Sequence, residues 1–247
     1  KQMAMAAGFD RVFEIGPVFR ANPSFTSRHD TEFTSVDMEI SWIDSHEEVM
    51  DIEERWINYF ISQVAAKHGD DIQKIFGLET KVPTLPFPRV TMEEAYKILD
   101  SQGYIVPREN KGDLDPDGER RLAKHIKDNF SHDFVFVTEY PARTRPFYHM
   151  RFEDRPDTTK SFDLLWKGLE VTTGAQREHR YNKLLGQIHE KRVNPESISS
   201  YVNFFKYGCP PHGGLGFGLT RMLMNLTGLN NVREVTFVYR GPNRLKP

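Results

Sequence analysis

Cysteine is nearly absent from this sequence, and long apolar runs are missing altogether. Cys209 is the single cysteine among 247 residues, so an internal disulfide is excluded, and Cys209 cannot by itself make a zinc site. No stretch approaches the roughly 20 apolar residues that a membrane-spanning helix needs. We therefore expect a soluble protein of a reducing compartment, the cytoplasm, without a membrane partner.

An excess of charge of one sign is also lacking. The 33 Lys and Arg residues nearly balance 35 Asp and Glu residues, which leaves a net charge of -2. Any polyanion must therefore be bound by a local group of cations. The 38% hydrophobic content suits one large domain with a substantial core. Neither a fixed-period repeat nor a low-complexity linker divides the chain, and we interpret residues 1–247 as a single domain.

Strand and helix patterns alternate along the chain. Residues 12–20 and 33–43 have the composition of strands and are joined by a polar loop, and Ser45 with Glu48 predicts a capped helix that ends near His68. Further strands are predicted over residues 133–140, 147–152, 160–166, 169–173 and 213–218. Further helices are predicted from residue 91, over 115–130, 181–191 and 196–205, and from about residue 219. This order favours an α+β fold with a mainly antiparallel β-sheet flanked by helices.

The first polar stretch lies around the loop between the two opening strands. Arg20 ends one strand, Arg28 and His29 lie in the loop, and Phe33 opens the return strand. Fixed and flexible cations could grip one polyphosphate while an aromatic face supports a flat base. A solvated hairpin with surface charge explains the same residues, and this stretch alone favours that simpler interpretation.

Two further stretches are equally weak in isolation. Asp163 and Glu170 flank a turn at Gly168 that could bring both carboxylates to one Mg²⁺ site, although two unrelated surface carboxylates are the better interpretation without further evidence. The glycine-rich residues 213–218 precede a helix whose first turn carries Arg221, an arrangement suited to phosphate. It matches neither the P-loop nor the dinucleotide fingerprint.

Taken together and in this order, the three stretches resemble motif 2, the strand before motif 3, and motif 3 of class II aminoacyl-tRNA synthetases. The resemblance covers nearly the whole chain. Residues 174–179 (GAQREH), 140–142 (YPA) and 145–148 (RPFY) are similar to the aspartyl branch of archaeal and eukaryotic type. The opening residues 1–2 (KQ) resemble the end of a longer family stretch.

The resemblance implies a role for each matching residue. The implied catalytic residues are Arg20 and Arg221. The implied ATP contacts are Arg20, Ala21, Asn22, Arg28, His29, Asp30, Phe33, Glu170, Gly218, Leu219, Thr220 and Arg221. The implied aspartate contacts are Lys1, Arg20, Asp37, Thr173 and Arg177. The implied Mg²⁺ ligands are Asp163, Glu170 and Thr173. Lys1 and Arg177 would pair with the side-chain carboxylate of aspartate, with Asp37 orienting Arg177, and Glu32 would support the motif 2 loop.

The resemblance also implies an activity and partners. The activity is that of an aspartate-tRNA ligase, which uses ATP and Mg²⁺ to form aspartyl-adenylate and charges tRNA(Asp), with tRNA(Asn) left open as a second acceptor. It further implies a homodimer built by motif 1, which we expect before Lys1, together with an anticodon-binding domain.

Three positions depart from the family pattern. Asn22 and Thr220 each stand where the family usually has Glu, and residues 238–242 replace its usual Phe-Pro-Arg-Asp tail. An ordinary bacterial or archaeal side branch of the family explains these changes, because every arginine that the chemistry needs is present. Two alternatives are also open. The chain could belong to a paralogue that activates aspartate and passes it to an amine, making asparagine or another amide. It could also be a non-catalytic binding protein that kept the pocket.

Overall fold

A central sheet organises the computed structural model, which describes residues 1–21, 23–244 and 246. Its strands are β1 (Arg11–Phe19), β2 (Glu32–Ser41), β3 (Arg89–Thr91), β4 (Phe134–Thr138), β5 (Ser161–Trp166), β6 (Leu169–Gln176) and β7 (His212–Gly218). They form a 7-stranded sheet in the order β1-β2-β7-β6-β5-β4-β3. Every neighbouring pair is antiparallel except β3 and β4. The predicted mainly antiparallel α+β fold is confirmed.

Helices flank this sheet. They are α1 (Gln2–Ala6), α2 (Glu47–Phe76), α3 (Met92–Ser101), α4 (Pro116–Phe130), α5 (Tyr181–Glu190), α6 (Ser199–Lys206), α7 (Leu219–Thr227) and α8 (Val232–Val235). Short 3₁₀ turns lie at Arg108–Asn110, Ala142–Thr144 and Pro195–Ile198. Across the described ranges, none of the helices combines the length and apolarity that a membrane crossing requires.

Helix α2 is longer than its sequence pattern predicts. We expected an end near His68, but buried Ile72 continues the apolar face and the helix stops at Gly77, whose φ of 69° is left-handed. At the other end, the Glu48 carboxylate accepts hydrogen bonds from the amides of Asp44 and Ser45, at 2.6 and 3.3 Å. Glu48 therefore satisfies amides just before the helix, as a capping residue does.

The strand predicted over residues 147–152 is wrong. Only isolated bridges occur there, between His149 and Arg177 and between Arg151 and Thr159. The aromatic residues that suggested a strand pack elsewhere, because Phe147 joins the cluster between α5 and α6. The backbone of this segment instead bonds beside the end of β6, where the Met150 amide donates to the Gln176 carbonyl at 2.9 Å.

Strand β4 shows how the sheet is buried on both faces. Phe134 and Phe136 pack with α2 in one core cluster, whereas the alternate Val135 and Val137 pack with α3 and α4 in another. All four side chains are almost fully buried. At β4 the sheet is thus a layer between helices.

One carboxyl group is buried in the first of these clusters. Glu53, on α2, is 0% exposed, and neither of its carboxylate oxygens has a hydrogen-bond partner among the residues described. Burial raises the pKa of Glu53 to about 8 from an ordinary 4.5, and the nearby charges of Asp163 and Glu54 act in the same direction. At neutral pH this side chain is therefore protonated in the folded protein.

We predict that Glu53 makes the folded state less stable as pH rises. Between the ordinary pKa of 4.5 and the folded pKa of about 8, unfolding releases the Glu53 proton, so the free energy of unfolding falls by about 1.4 kcal/mol per pH unit. The decline ends above pH 8. Denaturant unfolding of the protein and of Glu53→Gln, followed from pH 5 to 9, checks this. Parallel curves for the two proteins would contradict it.

Candidate functional site

A cleft of about 440 Å³ opens over strands β2, β6 and β7, under the loop formed by residues 20–31. Most of the residues singled out in the sequence line it. They are Lys1, Arg20, Arg28, His29, Asp30, Phe33, Asp37, Glu170, Thr173, Arg177, Gly218, Thr220 and Arg221. The three polar stretches, which are far apart in sequence, are therefore brought together.

Three of the predicted residues are placed differently, and the structure does not describe a fourth. Asp163 does not line the cleft, Leu219 packs against the core beside α2, and Ala21 lines a separate surface hollow with residues 240–242. Asn22 lies outside the described residues. Leu219 is apolar and alternates with cleft residues on its helix, which explains why its side chain faces the core.

The deepest part of the cleft holds a buried ion pair. Arg177 Nε lies 2.9 Å from Glu39 Oε1, and Arg177 Nη2 donates to the carbonyl of Gly214 at 2.9 Å. Arg177 is 4% exposed and Glu39 is 0% exposed. No partner for Arg177 Nη1 occurs within the described part of the chain, so one edge of the guanidinium is available to a ligand.

The glycine-rich strand β7 makes this pair possible. Glu39 lies opposite Gly214 in the β2–β7 register. A Cβ atom on Gly214 would overlap both the Met38 carbonyl and the Glu39 carboxylate. Gly214 therefore provides the space in which the carboxylate and the arginine meet.

Lys1 forms a second pair beside the first. Its Nζ lies 2.6 Å from Asp37 Oδ1, 2.6 Å from the Leu215 carbonyl and 3.8 Å from Glu39. Burial lowers the pKa of Lys1, and the charge of Arg177 lowers it further. Burial acts to raise the pKa of Asp37, but Lys1 outweighs burial and holds it below its usual range. The prediction that Asp37 orients Arg177 is wrong, because Glu39 does so and Asp37 holds Lys1.

The other end of the cleft carries an aromatic ring and further cations. The Arg20 guanidinium lies 5.3 Å from the centre of the Phe33 ring, and no carboxylate pairs with Arg20 in the ranges that the structure covers. Arg221 donates to the Glu170 carbonyl at 2.9 Å and lies 3.5 Å from the Glu170 carboxylate. Burial and the charges of nearby arginines lower the pKa of His29. His29 is therefore neutral at pH 7, and the arginines supply the positive charge.

A β-bulge decides which side chains accompany Glu170. The β5–β6 register shifts after Leu164, so that Val171 is the extra residue in its strand. Glu170 and Thr173, three positions apart, then share one face, and the Thr173 hydroxyl donates to Glu170 Oε1 at 3.1 Å. Their oxygens suit Mg²⁺ chemically.

Asp163 is held away from that position. Arg145 donates to both of its carboxylate oxygens, at 3.1 and 2.5 Å, and stacks over the Tyr140 ring at 3.5 Å. Both partners of the pair are nearly buried. As a metal ligand Asp163 must compete with this pairing, whereas Glu170 and Thr173 already face the cleft. No cluster of three acidic, His or Cys side chains forms a ready metal site among the described residues.

The base of the loop is fastened to the end of the chain. The Thr31 amide donates to the Arg240 carbonyl at 3.0 Å, and the Val232 amide donates to the Ser27 carbonyl at 2.9 Å. Arg240 also pairs with Glu32 at 2.7 Å. The expectation that Glu32 supports this loop agrees with that contact, although the tail sequence departs from the family pattern.

Sequence reasoning missed three residues that form ion pairs with predicted site residues. Glu39, Glu119 and Arg145 each pair with a predicted site residue. Glu39 alone carried a usable signal, because it shares a strand face with Asp37, two positions away. The positions of Glu119 and Arg145 depend on long-range packing that no local pattern encodes.

Comparison with known proteins gives the site a context. The family model for class II tRNA synthetases (D, K and N) matches residues 1–239. An aspartate--tRNA(Asp) ligase of Pyrococcus abyssi is 44% identical over the whole chain, which spans 56% of that relative. An aspartate--tRNA(Asp/Asn) ligase of Methanopyrus kandleri is 45% identical, with 55% of it covered.

A solved structure agrees with these sequence matches. The aspartyl tRNA synthetase of Entamoeba histolytica superposes with a TM-score of 0.93 at 35% identity, covering 100% of this chain and 51% of that one. This chain therefore spans about half the length of the relatives it matches.

We predict that Glu39→Gln destabilises the protein far more than loss of a surface carboxylate. The substitution leaves the Arg177 charge buried without its counter-ion, which lowers the free energy of unfolding by about 3 kcal/mol. Asp117→Asn is the matched control, because Asp117 pairs with Arg121 at 2.8 Å in an exposed position and should leave stability nearly unchanged. Denaturant titrations at pH 7 compare them. Equal midpoints for the two variants would refute the prediction.

Proposed function

This chain belongs to the class II tRNA synthetases of the D, K and N group, and from that premise we propose that it is the catalytic part of an aspartate-tRNA ligase. In the first step, aspartate and ATP form aspartyl-adenylate and pyrophosphate. In the second, the aspartyl group passes to the 3′ end of tRNA(Asp), and AMP leaves. The observation that carries the proposal is the position of two cations, Lys1 and Arg177, beside each other in the cleft.

These two cations suit the side-chain carboxylate of aspartate. Arg177 keeps Nη1 available while Glu39 fixes the rest of its guanidinium, and Lys1 is held alongside by Asp37. A carboxylate placed between them accepts charge-assisted hydrogen bonds from both. Asparagine would present a neutral amide there, so its NH₂ group would face cations and leave them poorly paired. Selection of aspartate over asparagine follows.

The opposite end suits ATP. Phe33 offers a face for adenine, and Arg20, Arg28 and Arg221 surround the space for the phosphates. We propose that Arg20 binds the α-phosphate, where the aspartate α-carboxylate forms a bond to phosphorus and the bond to pyrophosphate breaks. Negative charge then grows on phosphate oxygens that this guanidinium can stabilise.

No protein nucleophile is needed for this reaction. Both substrates are held by fixed cations, and orientation of this kind accounts for about 7 to 11 kcal/mol in favourable intramolecular cases. Glu170 and Thr173 would hold Mg²⁺. Asp163 would become a further ligand when its carboxylate leaves Arg145 and binds the metal. When bound, the ion neutralises charge on the phosphates of ATP.

The acceptor is proposed from relatives rather than from the cleft. The Pyrococcus abyssi relative is named for tRNA(Asp), and the Methanopyrus kandleri relative is named for tRNA(Asp/Asn). We propose tRNA(Asp) as the acceptor, and aminoacylation of both purified tRNAs by the full-length protein decides whether tRNA(Asn) is charged too.

We also propose that the full-length protein is a homodimer. Strand β1 is an edge strand of the sheet, and Phe13, Ile15 and Phe19 on it are 77%, 62% and 71% exposed. An apolar strip on a sheet edge is costly to leave in water and suits burial against another surface.

For the activity we predict pyrophosphate exchange that depends on aspartate. The full-length protein should exchange pyrophosphate into ATP with aspartate and not with asparagine. Arg177→Ala should lower kcat/KM for aspartate by about 100-fold or more, since it removes one of two cations from the carboxylate. Lys1→Gln, which changes a less buried side chain, should also lower kcat/KM for aspartate.

The control is Arg180→Ala. Arg180 lies close in sequence but pairs with Glu178 and Glu153 and does not line the cleft. Thermal unfolding of each variant separates loss of fold from loss of function. Exchange that prefers asparagine would contradict the aspartate assignment. Absence of all exchange would favour the non-catalytic alternative, and exchange without tRNA charging would favour the amide-forming paralogue.

For the assembly we predict a dimer that the β1 strip stabilises. Light scattering on the full-length protein should give twice the protomer mass. A Phe13→Asp, Ile15→Asp double variant should shift the protein toward monomer at low micromolar concentration, because charge is expensive in an apolar interface. A wild-type protein that stays monomeric at every concentration would refute the proposal.

A further inference from the structure

One cleft arginine is held by a helix rather than by the floor of the cleft. Arg28 Nη1 lies 2.6 Å from Glu119 Oε2, and Arg28 Nη2 approaches the Gly168 carbonyl at 3.4 Å. Glu119 is 7% exposed and belongs to α4, whereas Arg28 belongs to the loop over the cleft. The contact joins segments that are 91 residues apart.

The backbone that carries Glu119 lies in a capped and closely packed part of α4. Its helix is capped by Asp115, whose side chain accepts from the Gly118 amide at 3.1 Å, and the Glu119 amide donates to the Asp115 carbonyl. The β5–β6 turn packs directly on this helix, because a Cβ atom on Gly168 would lie 2.8 Å from the Arg120 Cα. Arg28 therefore pairs with a carboxylate on a well-packed helix, not with one on a loose surface segment.

The other paired cations of the cleft differ in this respect. Lys1 pairs with Asp37 and Arg177 pairs with Glu39, both on β2, while Arg221 pairs with Glu170 on β6. Those carboxylates stand on the sheet beneath the cleft. Among the paired cleft cations described, Arg28 alone has its partner on α4.

We propose that Glu119 is a positioning residue that holds Arg28 against α4 while the cleft is empty and competes with the terminal phosphates of ATP for its guanidinium. The inference rests on the proposed function, which assigns Arg28 to those phosphates. The Nη1 group that faces Glu119 cannot also bind a phosphate, so a terminal phosphate that takes this position displaces the Glu119 carboxylate. The pair lowers the affinity for ATP and keeps the loop ordered before ATP arrives.

The first test needs no ligand. Trypsin cleaves after arginine, and the bond that follows Arg28 lies in the loop that Glu119 restrains. Burial raises the pKa of Glu119 to about 7, so both tests are run at about pH 8.5, where its carboxylate is ionised. In the ligand-free full-length protein at that pH, Glu119→Gln should speed cleavage after Arg28 by about fivefold, the size expected when a charge-assisted hydrogen bond becomes a neutral one. Glu190→Gln is the matched control, since it removes the carboxylate from the Arg151–Glu190 pair, which does not line the cleft. It should leave the cleavage rate unchanged.

The second test measures ATP affinity by equilibrium dialysis without amino acid. Glu119→Gln should lower the Kd for ATP by about fivefold, because Arg28 no longer has to leave a carboxylate. Removing a negative charge near the cleft would also tighten ATP binding if Glu119 did not hold Arg28. The decisive comparison therefore introduces Glu119→Gln into an Arg28→Ala variant. There the Glu119→Gln substitution should change the Kd by less than about twofold, because the two residues act as a unit. The Kd for aspartate should stay constant throughout.

Each result bears on one proposal. Unchanged trypsin cleavage in Glu119→Gln overturns the proposed role of Glu119, even if the enzyme is active. A change in the Kd for ATP that is equal with and without Arg28 also overturns it. Weaker ATP binding in Glu119→Gln also overturns it, because Glu119 would then assist binding. A wild-type protein without aspartate-dependent exchange contradicts the proposed ligase function, whatever the trypsin rates are.

Discussion

The buried pair of Arg177 and Glu39 is the contact on which the rest of the site depends. Two charges removed from water are tolerated only when each has a partner at close range, and breaking such a pair costs about 3 to 5 kcal/mol. Here Glu39 comes from β2 and Arg177 directly follows β6, and β7 between those strands must have glycine at position 214 to admit both. The central strands and the deepest cation of the cleft are thereby fixed together.

The cleft prepares its cations before any ligand is present. Lys1, Arg177 and Arg221 already rest on carboxylates of the sheet, and Arg28 rests on α4. Preorganised charge of this kind needs little rearrangement when an anionic substrate arrives, which is how positioning and electrostatics replace a protein nucleophile in the proposed chemistry. The exception is Arg28, whose partner holds it back from the phosphates it is proposed to bind.

The sequence alone predicted the sheet and most helices, because period-two and helical patterns with clear caps, such as Thr91 with Glu94, are local properties. The resemblance of the three polar stretches to a known family also predicted that they form one site. The sequence did not predict ion pairs that depend on how deeply a side chain is buried and on how the strands are aligned. The resemblance implied that Asp37 orients Arg177, whereas Glu39, two positions away on the same face of β2, does so. The pairing of Asp163 with Arg145 has no local signature.

The most direct test of the central claim is a crystal structure of the full-length protein with a non-hydrolysable aspartyl-adenylate analogue. We predict that Arg177 keeps its contacts with Glu39 and the Gly214 carbonyl, while its Nη1 and the Lys1 ammonium group both lie within hydrogen-bond distance of the ligand's side-chain carboxylate. An Arg177 that leaves Glu39, or a ligand carboxylate bound elsewhere in the cleft, would contradict the claim that this buried pair defines the amino-acid site.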